Sequence, residues 1–304
     1  MSAKQREVKT RIASVKNIQK ITRAMEMVAA ARLRRAEQRI EALRPYAGAI
    51  RRMTRQAAEA AGTEIAKLPI LKEHESNDNV ALLLVTGDRG LAGAFNSQIV
   101  RAGLRAGREH EDDGRKTSYS AVGRRGVSTL TFRGKEPVGR YVGFTDRPSY
   151  ADAREIAEDL IAAYVDGKVD SVEIFYNGYI SPLTQEVRRE KLLPLQQATI
   201  LEGGEDDEEG TDEDDSGHQA LVEYEPGAEE ILARLVPDYV EISIYRALLE
   251  STASEHGARM TAMRNAAENA SELIDDLTLE MNRARQAEIT QEIMEVVAGA
   301  ESLT

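Results

Sequence analysis

Apolar side chains recur every three or four residues along both ends of this 304-residue chain. This spacing predicts helices that each bury one narrow stripe against a partner helix. All eight prolines lie between Pro45 and Pro237, so the outermost residues lack the strongest helix breaker. Near the N-terminus, the predicted stripe comprises Val8, Ile12, Val15, Ile18, Ile21, Met25, Val28, Leu33, Ala36, Ile40, Leu43, Ala47, Ile50 and Ala57. Near the C-terminus, it comprises Met263, Ala267, Ala270, Ile274, Leu277, Met281, Ala284, Glu288, Ile293 and Val296.

The two ends carry opposite charge, which favours one helix pair over two separate helices. Residues 1–60 hold fifteen Lys or Arg and five Glu, which is a net charge of +10. Residues 238–304 hold five Arg and thirteen Asp or Glu, which is a net charge of −8. An exposed ion pair contributes less than about 1 kcal/mol, so charge selects the partner and the apolar stripe holds it. We therefore predict an antiparallel coiled coil of the N- and C-terminal helices; a solvated charged face is the alternative for either helix alone.

The middle of the chain alternates between strand and helix patterns. Apolar runs predict strands over 79–86, 117–122, 138–144, 169–176 and 183–195. A helix is predicted to begin near Ala94, and the apolar face of residues 150–165 predicts another. Such alternation is typical of a mainly parallel sheet with helices on its faces. The predicted fold class is therefore α/β, with a central Rossmann-like domain beside the terminal coiled coil.

These patterns divide the chain into five segments. An acidic stretch between the sheet and the last helix has ten Asp or Glu among the fourteen residues from Glu202 to Asp215. It cannot bury enough apolar surface to order itself, and its spacing lacks the twelve-residue calcium-loop pattern that would support metal binding. The predicted segments are an N-terminal coiled-coil helix over 1–60, a connector over 61–78, the α/β domain over 79–200, an acidic flexible loop over 201–223 and a C-terminal coiled-coil helix over 224–304.

One glycine-rich turn is the main candidate for enzyme chemistry. Gly87, Gly90 and Gly93 follow the first predicted strand and precede a predicted helix. Such a turn can bind phosphate through backbone N–H groups. The GxxGxxG spacing, however, matches neither the dinucleotide fingerprint nor the phosphate-binding loop. We therefore interpret it as a tight structural turn, which an ion pair between Asp88 and Arg89 would hold.

Other residue patterns indicate neither an enzyme nor a bound cofactor. The four histidines lack metal-ligand spacing, no GxSxG motif is present, and the absence of cysteine excludes disulfides and thiolate sites. No stretch approaches 18 consecutive apolar residues, so we expect no membrane span. A nucleotide-dependent enzyme remains the alternative raised by the glycine turn. Nucleic-acid binding is the alternative raised by the basic end, although that end has a single aromatic residue, Tyr46, and no known DNA-binding pattern.

Three blocks of this sequence resemble the gamma subunits of F-type ATP synthases. The first is RIASVKNIQKITRAMEMVAA at 11–30, and the second is GDRGLAG at 87–93. The third extends from Ser254 through NRARQAEITQE at 282–292 to Ala300. The resemblance implies that the terminal helices form a coiled coil inside a ring of alpha and beta subunits. It places the α/β domain against the epsilon subunit and the membrane-embedded ring of c subunits.

The resemblance also implies a function and a set of contact residues. It predicts a non-catalytic rotor subunit without a cofactor, at the cytoplasmic face of the bacterial cell membrane. Such a subunit couples proton flow to ATP synthesis or hydrolysis and regulates both. Met25 and Arg259 match positions that face an acidic loop of a beta subunit; seam packing and a solvated charge are the respective alternatives. Further contacts with the catalytic head are implied for Arg285, Gln286, Thr290, Glu292 and Glu295.

Overall fold

The computed structural model describes residues 3–61, 68–74, 76–195 and 227–301 of this chain. Two long helices, α1 (Ala3–Ala61) and α5 (Ala228–Glu301), enclose the other elements in chain order. The chain forms two compact units, one of residues 1–31 and 259–304 and the other of residues 32–258. The predicted acidic loop over 201–223, including its possible calcium site, lies outside the described residues.

The larger unit contains a five-stranded sheet in the order β3-β2-β1-β4-β5. Strands β1 to β4 run parallel, and β5 pairs with β4 in the antiparallel direction. This confirms the prediction of a mainly parallel sheet. The strands are β1 (Asn79–Val85), β2 (Lys116–Val122), β3 (Gly139–Tyr141), β4 (Ser171–Tyr179) and β5 (Gln185–Leu193). The shorter helices are α2 (Phe95–Asp112), α3 (Arg124–Phe132) and α4 (Tyr150–Val165).

Two apolar layers cover the faces of the sheet. Because alternate side chains of a strand point to opposite faces, Leu82 and Leu84 lie on one side of β1, while Leu83 and Val85 lie on the other. The first face packs against α2 and α3 through Ile99, Val100, Ala106 and Leu130. The second packs against α4 and against the first part of α5, through Ile156, Leu160, Tyr164, Val240, Ile244 and Leu248. The last helix is therefore part of the core of the sheet.

The smaller unit is an antiparallel pair formed by the ends of α1 and α5. Val8 and Ile12 pack against Leu277 in a buried cluster. Farther along α1, the amide of Gln19 donates to the carbonyl oxygen of Ala267 at 3.5 Å. The residue number falls on α5 as it rises on α1, which is the antiparallel direction. The predicted pairing of the two termini is therefore confirmed.

The observed seam differs in part from the predicted stripe. On α1, the inward positions continue from Ile12 to the half-buried Gln19 and the buried Thr22 and Ala29. Ile18, Ile21 and Val28, which were predicted to belong to the stripe, are 51%, 58% and 53% exposed. A coiled coil repeats by position, in steps of three and four, so a polar residue at the right position faces the partner and an apolar neighbour does not. On α5, Met263, Ala267, Ala270 and Leu277 are buried as predicted, but Ile293 and Val296 are exposed.

The larger unit contains a second pairing of the same two helices. Here Ile50, Ala57 and Ala58 of α1 pack with Leu232 and Val236 of α5. A helix as long as α1 or α5 is stable in water mainly because its apolar face is covered. None of the helices within the described ranges is both long and apolar enough to cross a membrane.

Candidate functional site

The turn Gly87–Gly93, called the glycine turn below, connects the carboxyl end of β1 to α2. The carboxylate of Asp88 accepts hydrogen bonds from the backbone N–H groups of Arg124 at 3.1 Å, Gly143 at 2.9 Å and Thr145 at 3.2 Å. The Thr145 hydroxyl donates to the same carboxylate at 3.0 Å. Burial acts to raise the pKa of Asp88, but these hydrogen bonds outweigh it and hold the pKa below its ordinary value of 3.8. Asp88 thus joins three separate segments around the edge of the sheet.

The charged partner of Asp88 differs from the predicted one. Its carboxylate lies 3.9 Å from Nε of Arg124 at the start of α3. Arg89 is exposed, and its backbone carbonyl accepts a hydrogen bond from the Asn96 side chain at 3.3 Å. The prediction of an Asp88–Arg89 pair is therefore wrong. Adjacent residues of a turn point in different directions, whereas α3 brings Arg124 to the carboxylate.

The first two backbone N–H groups of the glycine turn form hydrogen bonds within the protein. Gly87 donates its N–H to Oδ1 of Asn96 at 2.8 Å, and Asp88 donates its N–H to Oγ1 of Thr145 at 2.9 Å. The carboxylate of Glu255 faces the α-carbon of Gly87, so that a methyl group at this glycine would lie 2.7 Å from the carboxylate carbon. These contacts favour the structural interpretation of the turn.

A small cavity adjoins the glycine turn. It offers about 10 Å³ to the centre of a water molecule, which is room for about one water. A nucleotide cannot enter a space of this size. The cavity is lined by Val85, Thr86, Thr145, Pro148, Leu248, Ser251, Thr252 and Glu255. Among the described residues, no group of three or more His, Asp or Glu side chains is placed to hold a metal ion.

Met25 and Arg259, the first predicted contact residues, both lie in the smaller unit. Met25 is half-buried, which leaves both seam packing and partner contact open to it. Arg259 is 9% exposed, so most of its side chain is buried within the chain. Nearby along α1, Glu26 accepts a hydrogen bond from Nε of Arg264 at 2.9 Å. This ion pair crosses between the two helices and borders an open groove of about 350 Å³.

The remaining predicted contact residues lie together on the last turns of α5. Arg285, Gln286, Thr290, Glu292 and Glu295 are all exposed. The Thr290 hydroxyl donates to the Gln286 carbonyl at 2.9 Å, and Glu295 accepts from the Gln291 amide at 3.0 Å. Between them, apolar side chains are also exposed, at Ile289, Ile293, Met294, Val296 and Val297. This helix end therefore presents a mixed polar and apolar surface.

Sequence reasoning missed the polar contacts between distant elements. Asp146 binds Nη1 of Arg32 at 2.5 Å and lies 3.6 Å from Nε2 of the buried His256. The carboxylate of Glu255 lies against Gly87 of the glycine turn, although the two residues are 168 positions apart in the sequence. The only signal for such contacts was the presence of charged and hydroxyl residues among apolar ones in the predicted C-terminal helix. That signal names no partner.

Comparison with known proteins identifies similar chains along the whole length. A family model described as ATP synthase matches residues 4–303. The ATP synthase gamma chain of Rubrobacter xylanophilus is 44% identical over 298 residues, which are 98% of this chain and 98% of that one. A chain in the solved central stalk and c-ring of the Tetrahymena thermophila mitochondrial ATP synthase is 26% identical, with a TM-score of 0.57 over 81% of this chain and 99% of that one. A chain of the Euglena gracilis mitochondrial ATP synthase has a TM-score of 0.67 over 99% of this chain and 94% of that one; at 18% identity, it bears on the fold alone.

Proposed function

Because this chain belongs to the family of ATP synthase gamma chains, we propose that it is the central rotor subunit of a bacterial F-type ATP synthase. Its terminal helices turn inside a ring of alpha and beta subunits and couple proton flow to ATP synthesis or hydrolysis. The observation that carries this proposal is the 44% identity across 98% of both chains. The antiparallel pairing of α1 with α5 supports it, because a paired shaft resists twisting and bending better than a single helix.

The chemistry of ATP belongs, in this proposal, to the beta subunits. This chain is non-catalytic, carries torque and regulates ATP hydrolysis and proton flow. Two features support the assignment: the glycine turn uses the N–H groups of Gly87 and Asp88 for internal hydrogen bonds, and the cavity beside it has room for about one water molecule. In this proposal the glycine turn therefore has a structural role, which is to hold the end of β1 to the neighbouring segments.

We propose two zones of contact with the catalytic head. One comprises Met25 and Arg259, opposite an acidic loop of a beta subunit. An arginine can bind a carboxylate through two parallel hydrogen bonds, which gives a directional contact that can form and break at each step of rotation. The other lies on the exposed end of α5 and comprises Arg285, Gln286, Thr290, Glu292 and Glu295.

The sheet domain is proposed to contact the epsilon subunit and the ring of c subunits. A c-ring accompanies the central stalk in the Tetrahymena thermophila structure that contains a similar chain. Attachment to the c-ring of a bacterial ATP synthase would place the chain at the cytoplasmic face of the cell membrane, as a peripheral component. No helix of the described residues suits a membrane span, so the proposed attachment is through the complex.

Co-expression with the alpha and beta subunits of the same host tests this proposal. We expect the three chains to elute together in fixed stoichiometry, with steady ATP hydrolysis that depends on this chain. The control is the same preparation of alpha and beta subunits without it. If folded, soluble alpha and beta subunits neither bind the chain nor change their ATP hydrolysis on its addition, the rotor assignment is wrong.

A further inference from the structure

A run of buried polar residues interrupts the apolar face of α5. From Glu250 to His256, every residue is at most 7% exposed, and all but Ala253 are polar or charged. Burial of a polar group is unfavourable unless the group is hydrogen-bonded. An apolar helix face would be sufficient to cover the sheet, as Val240, Ile244 and Leu248 do one to three turns earlier. The run therefore requires a reason beyond coverage.

Three side chains of this run reach three different segments of the sheet domain. Oγ1 of Thr252 lies 3.0 Å from the carbonyl oxygen of Thr145, which follows β3, and 2.8 Å from that of Leu248 in its own helix. The hydroxyl of Ser254 donates to the carbonyl oxygen of Asn177 in β4 at 3.0 Å. The carboxylate of Glu255 faces Gly87, directly beyond β1. We call Thr252, Ser254 and Glu255 the polar clamp.

The clamp residues point in different directions around the axis of α5, and this distribution determines which motions of the helix they can oppose. Successive residues of a helix are 100° apart, so Thr252 and Ser254 lie on nearly opposite sides of α5. If all contacts lay along one side of the helix, the helix could still rotate about that line of contacts. Contacts on opposite sides of the helix with separate segments of the sheet domain oppose both rolling and sliding, because either motion disrupts all of these contacts together.

At Gly87 the contact with the clamp is close. Gly87 is fixed through its N–H by Asn96 at 2.8 Å and through its carbonyl oxygen by the N–H of Arg125 at 3.1 Å. A methyl group there would lie 2.7 Å from both the carboxylate carbon and Oε2 of Glu255, which is closer than non-bonded atoms approach. The absence of a side chain at Gly87 thus serves the contact with Glu255.

We propose that Thr252, Ser254 and Glu255 are positioning residues that fix α5 rotationally against the sheet, so that torque applied to the sheet passes into the helix. This inference rests on the proposed rotor function and assigns the step within it to particular side chains. The helix continues without interruption from Ala228 to Glu301. A rotation imposed at the clamp is therefore carried along one continuous element.

The test uses the complete ATP synthase reconstituted in sealed vesicles, with ATP hydrolysis and ATP-driven proton pumping measured in the same preparation. Gly87→Ala inserts the methyl group that collides with Glu255. We expect pumping per ATP hydrolysed to fall below the wild-type ratio, because a helix that slips against the sheet allows ATP hydrolysis without rotation of the attached ring. Shortening the facing side chain in the double variant Gly87→Ala/Glu255→Asp makes room for the methyl group and should restore the ratio. Gly48→Ala is the matched control, because its methyl group meets only the end of the Arg52 side chain at 3.4 Å.

Thr252→Val combined with Ser254→Ala supplies a second route, since it removes two hydroxyls and keeps the shape of the helix. If Gly87→Ala fails to assemble into the complex, the Thr252→Val/Ser254→Ala variant tests the clamp through the same ratio of proton pumping to ATP hydrolysis. Reduced pumping per ATP in an intact complex supports the clamp. An unchanged ratio overturns it, even where the melting temperature falls, because a merely structural role changes stability and not coupling. Failure of the rotor proposal itself is distinct, since the wild-type chain would then support no coupled pumping.

Discussion

The carboxylate of Asp88 holds the starts of two neighbouring segments to the end of β1, and its charge is what binds them. Its pKa is lowered because hydrogen bonds to the ionised form outweigh the opposing effect of burial. A carboxylate with a lowered pKa stabilises the fold above its ordinary pKa of 3.8, and this stability is lost as the pH falls through the lower, folded-state pKa. Acid should therefore weaken the contacts that the Asp88 carboxylate makes with these two segments.

Asp88→Asn tests the charge of this carboxylate. We expect the free energy of unfolding at pH 7 to fall by about 1–3 kcal/mol, because hydrogen bonds to a charged group are replaced by weaker ones. The variant should also lose less stability than the wild type between about pH 4 and pH 2. Urea denaturation at a series of pH values measures both. Asp166→Asn, at an exposed carboxylate paired with Lys168, is the control, and equal effects of the two substitutions would contradict the prediction.

Met25→Lys tests the proposed contact with an acidic loop of a beta subunit. The new ammonium group would form an additional ion pair, of roughly 1 kcal/mol, that has to break at each step. We expect coupled ATP synthesis in membrane vesicles to slow by roughly fivefold. Met27→Lys is the matched control, since Met27 is 68% exposed and points away from Met25 on the same helix. Equal synthesis rates in wild type and Met25→Lys would remove Met25 from the contact zone.

The helix pair of the smaller unit depends on few buried side chains, so each should matter. Leu277 is 6% exposed and packs with Val8 and Ile12, whereas Leu279, two residues later, is 51% exposed. Leu277→Ala should therefore lower the stability of the pair by about 2–4 kcal/mol, and Leu279→Ala by less than about 0.5 kcal/mol. Thermal melting followed by circular dichroism compares the same substitution at both sites. Similar losses would show that the seam is placed wrongly.

The elements themselves could be predicted because their patterns are local. The apolar runs of β1 and β4 and the periodic face of α4 specified their type and approximate bounds. The prediction of a strand over 138–144 was too long, since β3 retains only Gly139–Tyr141. The helix α3 was not predicted, because it is nine residues long and has only two buried residues, Gly126 and Leu130. So few buried positions in so short a helix do not produce a recognisable hydrophobic periodicity in the sequence.

Partners across the fold could not be predicted in the same way. Opposite net charge correctly paired the two ends, but it did not place Thr22 in the seam and Ile21 outside it. That choice depends on register, which only the packed pair fixes. Likewise, the chemistry of Glu255 was visible in the sequence, yet its position against Gly87 follows from the path of α5 over the sheet. Local pattern predicts elements, and three-dimensional packing determines their contacts.

The two units of the whole molecule differ greatly in the amount of core they contain. One buried cluster of the sheet domain alone contains twenty apolar residues. The described part of the smaller unit buries seven, which are Val8, Ile12, Ala29, Met263, Ala267, Ala270 and Leu277. Local opening follows the number of buried apolar contacts. In the isolated chain, backbone amides of 5–25 and 265–290 should therefore exchange hydrogen much faster than those of β1 and β4.

Hydrogen exchange followed by mass spectrometry measures this contrast directly. Addition of alpha and beta subunits should slow exchange in the helix pair and leave the sheet nearly unchanged, because a ring around the helices would cover them. The isolated chain under the same conditions is the control. Uniform protection of both units in the isolated chain would contradict the expected difference in stability.

The path of α5 also bears on how the chain is made. Val240, Ile244 and Leu248 complete one face of the sheet, and Leu277 pairs with Val8 from the very beginning of the sequence. A growing polypeptide on the ribosome therefore cannot complete the core of the sheet until residues 240–248 have emerged. Prematurely terminated products keep the apolar face of the sheet open to water. Such fragments should be recognised by chaperones and proteases as unfinished, so that a defective rotor is removed before it can enter a motor.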